Sequence, residues 1–161
     1  MSTQLQRLIG NFVWRLESLS PTAAGLPFRV YDPIKFGGDL GNETGNTRRF
    51  VVTWLEAEED QDVTEGYSRT AYHYLELLVL YPTAIGSHDA IQRMMLSDRH
   101  DIIKQLRNPA LWVGYDADNP TTDLGLLNRW RVSDRLSFEG DDDQLWELRM
   151  RWRCQVTEVE T

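Results

Sequence analysis

The chain has 161 residues, of which 41% are hydrophobic and six are tryptophan, enough for one folded domain with a substantial core. Its formal net charge of −8 disfavours a protein that wraps nucleic acid, because such proteins present a basic surface to the phosphates. One cysteine cannot form an internal disulfide, and no apolar run approaches the roughly 18 residues of a membrane span. We therefore expect a single domain over residues 1–161, with no signal peptide and no membrane contact, made in a reducing cytoplasm.

The first part of the chain is predicted to form an amphipathic helix over residues 4–18, followed by a short strand over residues 27–31. Apolar side chains recur in the helix at intervals of three and four residues, which places them on one side. They are Leu5, Leu8, Ile9, Phe12, Val13 and Leu16. This apolar side is wide enough to need a partner, most simply one face of a sheet.

The segment 37–46 is predicted to be a loop, because it contains four glycines and two asparagines and offers little apolar surface to bury. It has neither of the glycine spacings that hold phosphate groups, so we expect no nucleotide site here. We instead predict a loop that becomes ordered when it docks to a partner. The residues assigned to this docking loop are Gly37, Gly38, Asp39, Gly41 and Asn42.

Two long strands, over residues 49–57 and 69–82, are predicted from their alternation and their content of β-branched and aromatic residues. The acidic segment 56–66 joins them, and we expect the resulting hairpin to project beyond the domain. The carboxylates of this segment lack the spacing of a calcium-binding EF-hand loop, so we interpret it as a solvated tip. Beyond Leu75 the second strand is apolar on both sides, which predicts that this end is covered on both faces.

A second helix is predicted over residues 87–107. Ser87 is the expected N-cap, and Asp89 lies in the first turn, where the helix dipole favours negative charge. Two strands are predicted to follow, over residues 111–115 and 126–132, and residues 135–138 are expected to extend the second one past a bulge.

The clearest pattern is the strict alternation over residues 145–156, which only a strand with one buried and one wet face explains. The residues of its apolar side are Trp146, Leu148, Met150, Trp152, Cys154 and Val156. Because this is the heaviest apolar line in the chain, we place the strand at or near the centre of the sheet. We expect an antiparallel hairpin with the preceding strand, and a frayed tail over residues 157–161.

This order of elements predicts an α+β fold. We expect a mostly antiparallel sheet with two helices packed on one face, plus the projecting long hairpin.

No arrangement of residues indicates catalysis, a metal or a cofactor. The three histidines are far apart in the sequence, and there is no cysteine pair or cofactor fingerprint. Ser87, His88 and Asp89 carry the residue types of a catalytic triad, but three adjacent residues cannot adopt its geometry. We predict a protein that is not an enzyme and has no catalytic, metal or cofactor site.

The charges are instead laid out by region. Arginines alternate on the two strands of the last hairpin and are expected to form one basic face: Arg129, Arg131, Arg149, Arg151 and Arg153. The acids cluster at the hairpin tip: Glu56, Glu58, Glu59, Asp60 and Asp62. One interpretation is an ordinary solvated face with cross-strand ion pairs. The other is a head-to-tail interface, in which the arginines of one subunit meet the acids of the next.

The order of elements resembles that of the tail terminator, or tail completion, proteins of long-tailed bacteriophages. An amphipathic first helix is followed by a strand and a long hairpin with an acidic tip. Then come the helix SHDAIQRMMLSDRHDIIKQL, a short strand, and a terminal hairpin that ends in the alternating WELRMRWRCQV. The resemblance covers nearly the whole chain and rests on this pattern rather than on a catalytic motif.

The resemblance implies a virion structural protein, located in the tail or neck and assembled in the host cytoplasm. A homohexameric ring would cap the head-proximal end of the tail tube, stop tube growth and dock the neck. Its partners would be other copies of itself, the tube protein, the neck or connector protein, and the sheath protein in a contractile tail. DNA would pass through the lumen without specific binding. The alternatives are a stopper or adaptor ring of the head–tail connection and, further off, a small acidic enzyme or adaptor.

Overall fold

The computed structural model describes residues 4–22, 28–30, 48–59, 68–82, 86–108, 126–139 and 145–159. Within them lie two helices and five strands: α1 (Gln4–Glu17), β1 (Phe28–Val30), β2 (Arg48–Glu59), β3 (Ser68–Pro82), α2 (His88–Arg107), β4 (Leu126–Glu139) and β5 (Leu145–Val159). The predicted strand over residues 111–115 and the predicted loop over residues 37–46 lie outside the described residues. Neither described helix combines the length and the apolar character needed to cross a membrane.

The five strands form one sheet in the order β1-β2-β3-β5-β4. β1 pairs with β2 in parallel, and the other three pairings are antiparallel. β5 therefore lies between two partners, as its heavy apolar side predicts, while β3 is the middle strand. The α+β fold with a mostly antiparallel sheet is confirmed.

Two predicted boundaries, the end of β2 and the end of β5, differ from the structure. β2 continues through Glu59, two residues beyond the predicted strand, so residues 56–59 of the expected loop are strand. β5 continues through Val159, so the expected frayed tail begins too early. In both cases the extra residues pair with β3, and these long-range hydrogen bonds outweigh the low strand propensity of glutamate.

One face of the sheet, here called the inner face, carries the core. Alternate residues of β3 and β5 are buried and directly opposite one another, such as Leu75 opposite Trp152 and Leu77 opposite Met150. Both helices contribute to the same buried cluster. Phe12 of α1 meets the indole of Trp152 edge to face, with ring centroids 6.3 Å apart. The prediction of two helices packed on one face of the sheet is confirmed.

At one end of the sheet the other face is buried as well. Leu80 and Glu147 are opposite each other in the β3–β5 pairing, and they are 4% and 7% exposed. This agrees with the apolar residues on both sides of β3 beyond Leu75.

Polar side chains cap α2 at both ends, and one of them joins it to α1. The Ser87 side chain accepts a hydrogen bond from the backbone N–H of Ala90, which confirms the predicted N-cap. The buried guanidinium of Arg15 on α1 donates to the backbone carbonyls of Gln105 and Asn108 at 3.4 and 3.5 Å. A cation at this position stabilises α2, because the last carbonyls of a helix have no partners within it.

A buried ion pair joins α2 to the sheet. The Nε atom of Arg48, at the start of β2, lies 2.8 Å from Oδ2 of Asp98 on α2, and both side chains are fully buried. The Tyr81 hydroxyl, near the end of β3, donates to the same oxygen at 2.7 Å. The Arg48 guanidinium also lies over the ring of Phe28, 5.3 Å from its centroid. Asp98 breaks the apolar stripe of α2 because it pairs with the sheet.

Burial sets the protonation behaviour of this cluster. It raises the pKa of Asp98 from 3.8 to about 6, although the charge of Arg48 and the hydrogen bond from Tyr81 both act to lower it. Burial and the neighbouring Asp98 raise the pKa of Tyr81 well above its ordinary value of 10. The phenol therefore stays protonated and remains a donor to the carboxylate at neutral pH.

Replacing Tyr81 with Phe should destabilise the protein more at high pH than at low pH. At pH 8 the hydroxyl donates to an ionised carboxylate, and its loss should cost about 2 kcal/mol, falling to about 1 kcal/mol at pH 5, where Asp98 is protonated. Urea unfolding at the two pH values measures this. Tyr74→Phe is the matched control, because its hydroxyl contacts Glu58 at an exposed site. Equal losses for Tyr81→Phe at both pH values would contradict the prediction.

Asp98 should also make stability fall as pH rises. Between about pH 4 and 6 the unfolded chain has lost this proton while the native state retains it, so unfolding releases a proton. We expect the free energy of unfolding of the wild type, relative to that of Asp98→Asn, to fall by about 2 kcal/mol between pH 4 and 7. Above pH 7 the difference should be constant. Denaturant titrations of the two proteins across this range measure it, and a difference independent of pH would be the opposite result.

Candidate protein interaction surface

The face of the sheet opposite the core, here called the outer face, carries most of the described charged residues of the strands. Its members alternate with core residues along β2, β3 and β5, and residues directly opposite one another share a face. They are Glu56, Glu58, Tyr72, Tyr74, Glu76, Arg149, Arg151, Arg153 and Gln155.

A bulge in β2 brings the acids to this face. Trp54 is opposite Leu75, but the next paired residue is Glu56, opposite Tyr74, so Leu55 is the extra residue. With unbroken alternation Glu56 would lie on the same face as Trp54, because the side-chain period of a strand is two. The bulge therefore moves Glu56 and Glu58 onto the same face as the β5 arginines.

Arg149 is bound by two carboxylates of its own subunit. Its Nη1 atom lies 3.0 Å from Oε1 of Glu76, and its Nη2 and Nε atoms each lie 3.1 Å from Oε2 of Glu147. All three side chains are largely shielded from solvent, with exposures of 35%, 22% and 9% for Arg149, Glu76 and Glu147. This arginine therefore supports the sheet.

Tyrosines of β3 occupy the space between the basic and acidic strands. The Arg153 guanidinium lies 3.8 Å from the ring centroid of Tyr72, a cation–π contact. The Gln155 amide donates to the hydroxyl of the same tyrosine at 3.4 Å. On the other side, the Tyr74 hydroxyl donates to Glu58 at 3.3 Å. Planar aromatic and guanidinium groups packed in this way form a surface of limited flexibility.

Arg151 differs from its two neighbours. Its side chain is exposed, and it forms no ion pair with any residue that the structure describes. Glu76 lies directly opposite it, but the carboxylate of Glu76 is taken by Arg149. Arg151 is therefore the β5 arginine with its charge most available to a partner.

For the expectation of a single face with all five arginines, the structure gives only the backbone pairing of β4, so the expectation stays a prediction. The backbone register places Arg129 opposite Cys154 and Arg131 opposite Trp152, both of which belong to the inner face. Irregularities between Leu126 and Asn128 and between Arg131 and Ser133 shift the pairing of β4. A one-residue shift exchanges the faces of a strand. After the second irregularity, Arg135 is the residue opposite Arg149.

The other predicted interface residues are only partly placed. Glu59 is the last residue of β2 and is opposite Ala71. The remaining predicted interface residues lie outside the described residues. They are Asp60 and Asp62 of the acidic tip, and Gly37, Gly38, Asp39, Gly41 and Asn42 of the docking loop.

The sequence interpretation missed Tyr72, Tyr74 and Glu76 as members of the surface. Their alternation with apolar residues was the available signal, because it already places each of them opposite the core side of its strand. Which arginine each of these residues contacts depends on how β3 and β5 are aligned in the sheet. The sequence of one strand does not specify that alignment.

The outer face combines arginine, tyrosine and glutamate side chains. Among the described residues, no three His, Cys, Asp or Glu side chains are grouped so that they could hold a metal ion. His73 is buried on the inner face, and its Nδ1 accepts a hydrogen bond from the Trp54 indole at 3.3 Å. Arginine and tyrosine are the residue types enriched where proteins meet.

Substitution of two adjacent arginines should separate structural from available charge. Arg149→Gln removes the guanidinium that bridges Glu76 and the nearly buried Glu147, and should cost about 1–2 kcal/mol of the free energy of unfolding. Arg151→Gln should change it by less than about 0.5 kcal/mol. Urea unfolding of the two variants provides the comparison. Similar losses in both would mean that Arg151 also supports the fold.

A scan against models of known protein families and a search of curated proteins found no match to this chain.

Proposed function

We propose that this protein is a structural component of a long-tailed bacteriophage, located where the tail meets the head. In this proposal a homohexameric ring caps the head-proximal end of the tail tube and ends its polymerisation. The ring then offers a docking surface to the neck protein and, in a contractile tail, to the last ring of the sheath. The function requires contact and shape, with no turnover.

The observation that carries the proposal is the two-sidedness of the domain. Both helices pack on the inner face of the sheet, whereas the outer face presents arginine, tyrosine and glutamate side chains. The exposed charges of Glu56, Glu58 and Arg151 are suited to a protein partner, since charged and aromatic groups together give an interface its specificity.

The order of the elements supports the same proposal. An N-terminal helix, a strand, a pair of long antiparallel strands, a second helix and a terminal antiparallel pair follow one another in this chain. This is the order on which the resemblance to tail terminator proteins rests.

The different chemistry of the two sides favours a ring over a symmetric dimer. A contact between unlike surfaces is head-to-tail, and repeated contacts of this kind close into a ring when the rotation between subunits allows it. The net charge of −8 suits a ring with DNA in its lumen, because like charge keeps the phosphates from adhering to the wall.

Particles assembled without this protein provide the test. We expect negative-stain images to show overlong tails without heads, because nothing would stop polymerisation of the tube. Supplying the wild-type chain should restore a single tail length. Tails of normal length that lack heads would instead identify a neck or connector ring, and normal complete virions would refute both functions.

A further inference from the structure

The exposed side of α2 carries a row of basic residues. His100, Lys104 and Arg107 recur at intervals of four and three residues, which places them on one side of the helix. They line a groove of about 410 Å³ together with Ile103 and Asn108. Ile102 and Leu106, in contrast, are fully buried in the core. The groove therefore faces away from the sheet.

His100, Lys104 and Arg107 form no ion pair with any described residue. The carboxylates elsewhere on α2 are engaged, since Asp89 pairs with Arg93, Asp98 pairs with Arg48, and Asp101 accepts hydrogen bonds from Thr22. Lys104 and Arg107 lie in the last turn, where the helix dipole stabilises positive charge without a counter-ion. The exposed side of α2 is therefore a local basic surface on a chain whose net charge is −8.

The acidic residues of the outer face have the complementary character. Glu56 and Glu58 are exposed, and so is Ala57 between them on the opposite side of β2. The segment 56–58 therefore lies outside the part of the sheet that the helices cover. Of its two carboxylates, Glu58 contacts the Tyr74 hydroxyl of the same subunit.

Two of the three β5 arginines are poorly suited to be the basic partner of these acids in a neighbouring subunit, which leaves Arg151 as a single exposed charge on that strand. Arg149 is already bound by Glu76 and Glu147, and Arg153 is stacked on Tyr72. Withdrawing Arg149 from these contacts would break two ion pairs that are largely shielded from solvent, which is costly. The basic groove of α2 requires no such rearrangement.

We infer that the groove lined by His100, Lys104 and Arg107 in one subunit receives the β2 segment with Glu56 and Glu58 of a second copy. This inference rests on the ring of the proposed function and specifies its subunit contact. It replaces the sequence prediction in which the arginines of the last hairpin supplied the basic half.

The spacing of the two sets of charges supports this contact. Residues two apart on a strand are separated by about 6.8 Å, and residues three apart on a helix, such as Lys104 and Arg107, rise by about 4.5 Å. Because lysine and arginine side chains are long, Glu56 and Glu58 can approach both of these cations at once. Because α2 and the outer face lie on opposite sides of the domain, the contact joins unlike surfaces and is head-to-tail.

Charge reversal and charge exchange test the inference. Arg107→Glu should raise the protein concentration needed for half-assembly at least tenfold, as measured by native mass spectrometry and sedimentation. Arg93→Glu is the matched control, because it makes the same change in net charge at an exposed site on the same helix, and it should assemble like the wild type. Circular dichroism should show that both variants are folded.

The exchange uses two double variants, Lys104→Glu with Arg107→Glu and Glu56→Lys with Glu58→Lys. Each alone should fail to assemble, and an equimolar mixture of the two should form mixed assemblies, because each subunit then finds opposite charges in its neighbour. Normal assembly of both double variants, or a mixture that stays unassembled, would overturn the contact. Tail length in particles is read separately: assembly of the double variants together with normal tail capping would refute the contact alone. A wild-type chain that neither forms rings nor affects tail length would refute the proposed function as well.

Discussion

The buried ion pair between Arg48 and Asp98 fixes how the helical layer lies on the sheet. Apolar side chains can exchange one hydrophobic contact for another with a small loss, whereas displacement of α2 would leave a buried charge without its partner. The Tyr81 hydroxyl adds a third point of attachment to the same carboxylate oxygen. Because the side of α2 with Asp98 must face the sheet, the side with Lys104 and Arg107 must face outward. The exposed basic groove is thus a consequence of an interaction inside the core.

The arginine content of the chain has a partly internal explanation. Fifteen of the 17 basic residues are arginine, a composition typical of interfaces but also of biased genomes. Arg15 and Arg48 are fully buried, one on the C-terminal carbonyls of α2 and the other on Asp98. A guanidinium suits such positions because it offers several donors in a rigid plane and is weakly hydrated. Part of the arginine content therefore stabilises the fold. Lys104, in contrast, lies on the surface.

Much of the fold follows from periodicity, and much of the surface does not. The alternation over residues 145–156 predicted an interior strand, and the helical spacing predicted α1 and α2, because burial of one side imposes the period. Which side of β2 carries Glu56 depends instead on a one-residue bulge at Leu55. The positions of Arg129 and Arg131 likewise depend on the irregular pairing of β4 with β5. A polar residue such as Asp98 shows its partner only after the chain has folded, since Arg48 is 50 residues away.

The proposed contact also bears on how an acidic ring would treat DNA. If the cations of α2 are covered by the acids of the next subunit, assembly neutralises the surface most able to hold a phosphate. Arg149 and Arg153 are already engaged within each subunit, so Arg151 is the β5 arginine whose charge would remain exposed. Assembly leaves the net charge of −8 per subunit unchanged, because the acids of one subunit pair with the bases of its neighbour and no charge is gained or lost. The same ion pairs that would close the ring would therefore leave its exposed wall acidic, and DNA could slide past it without adhering.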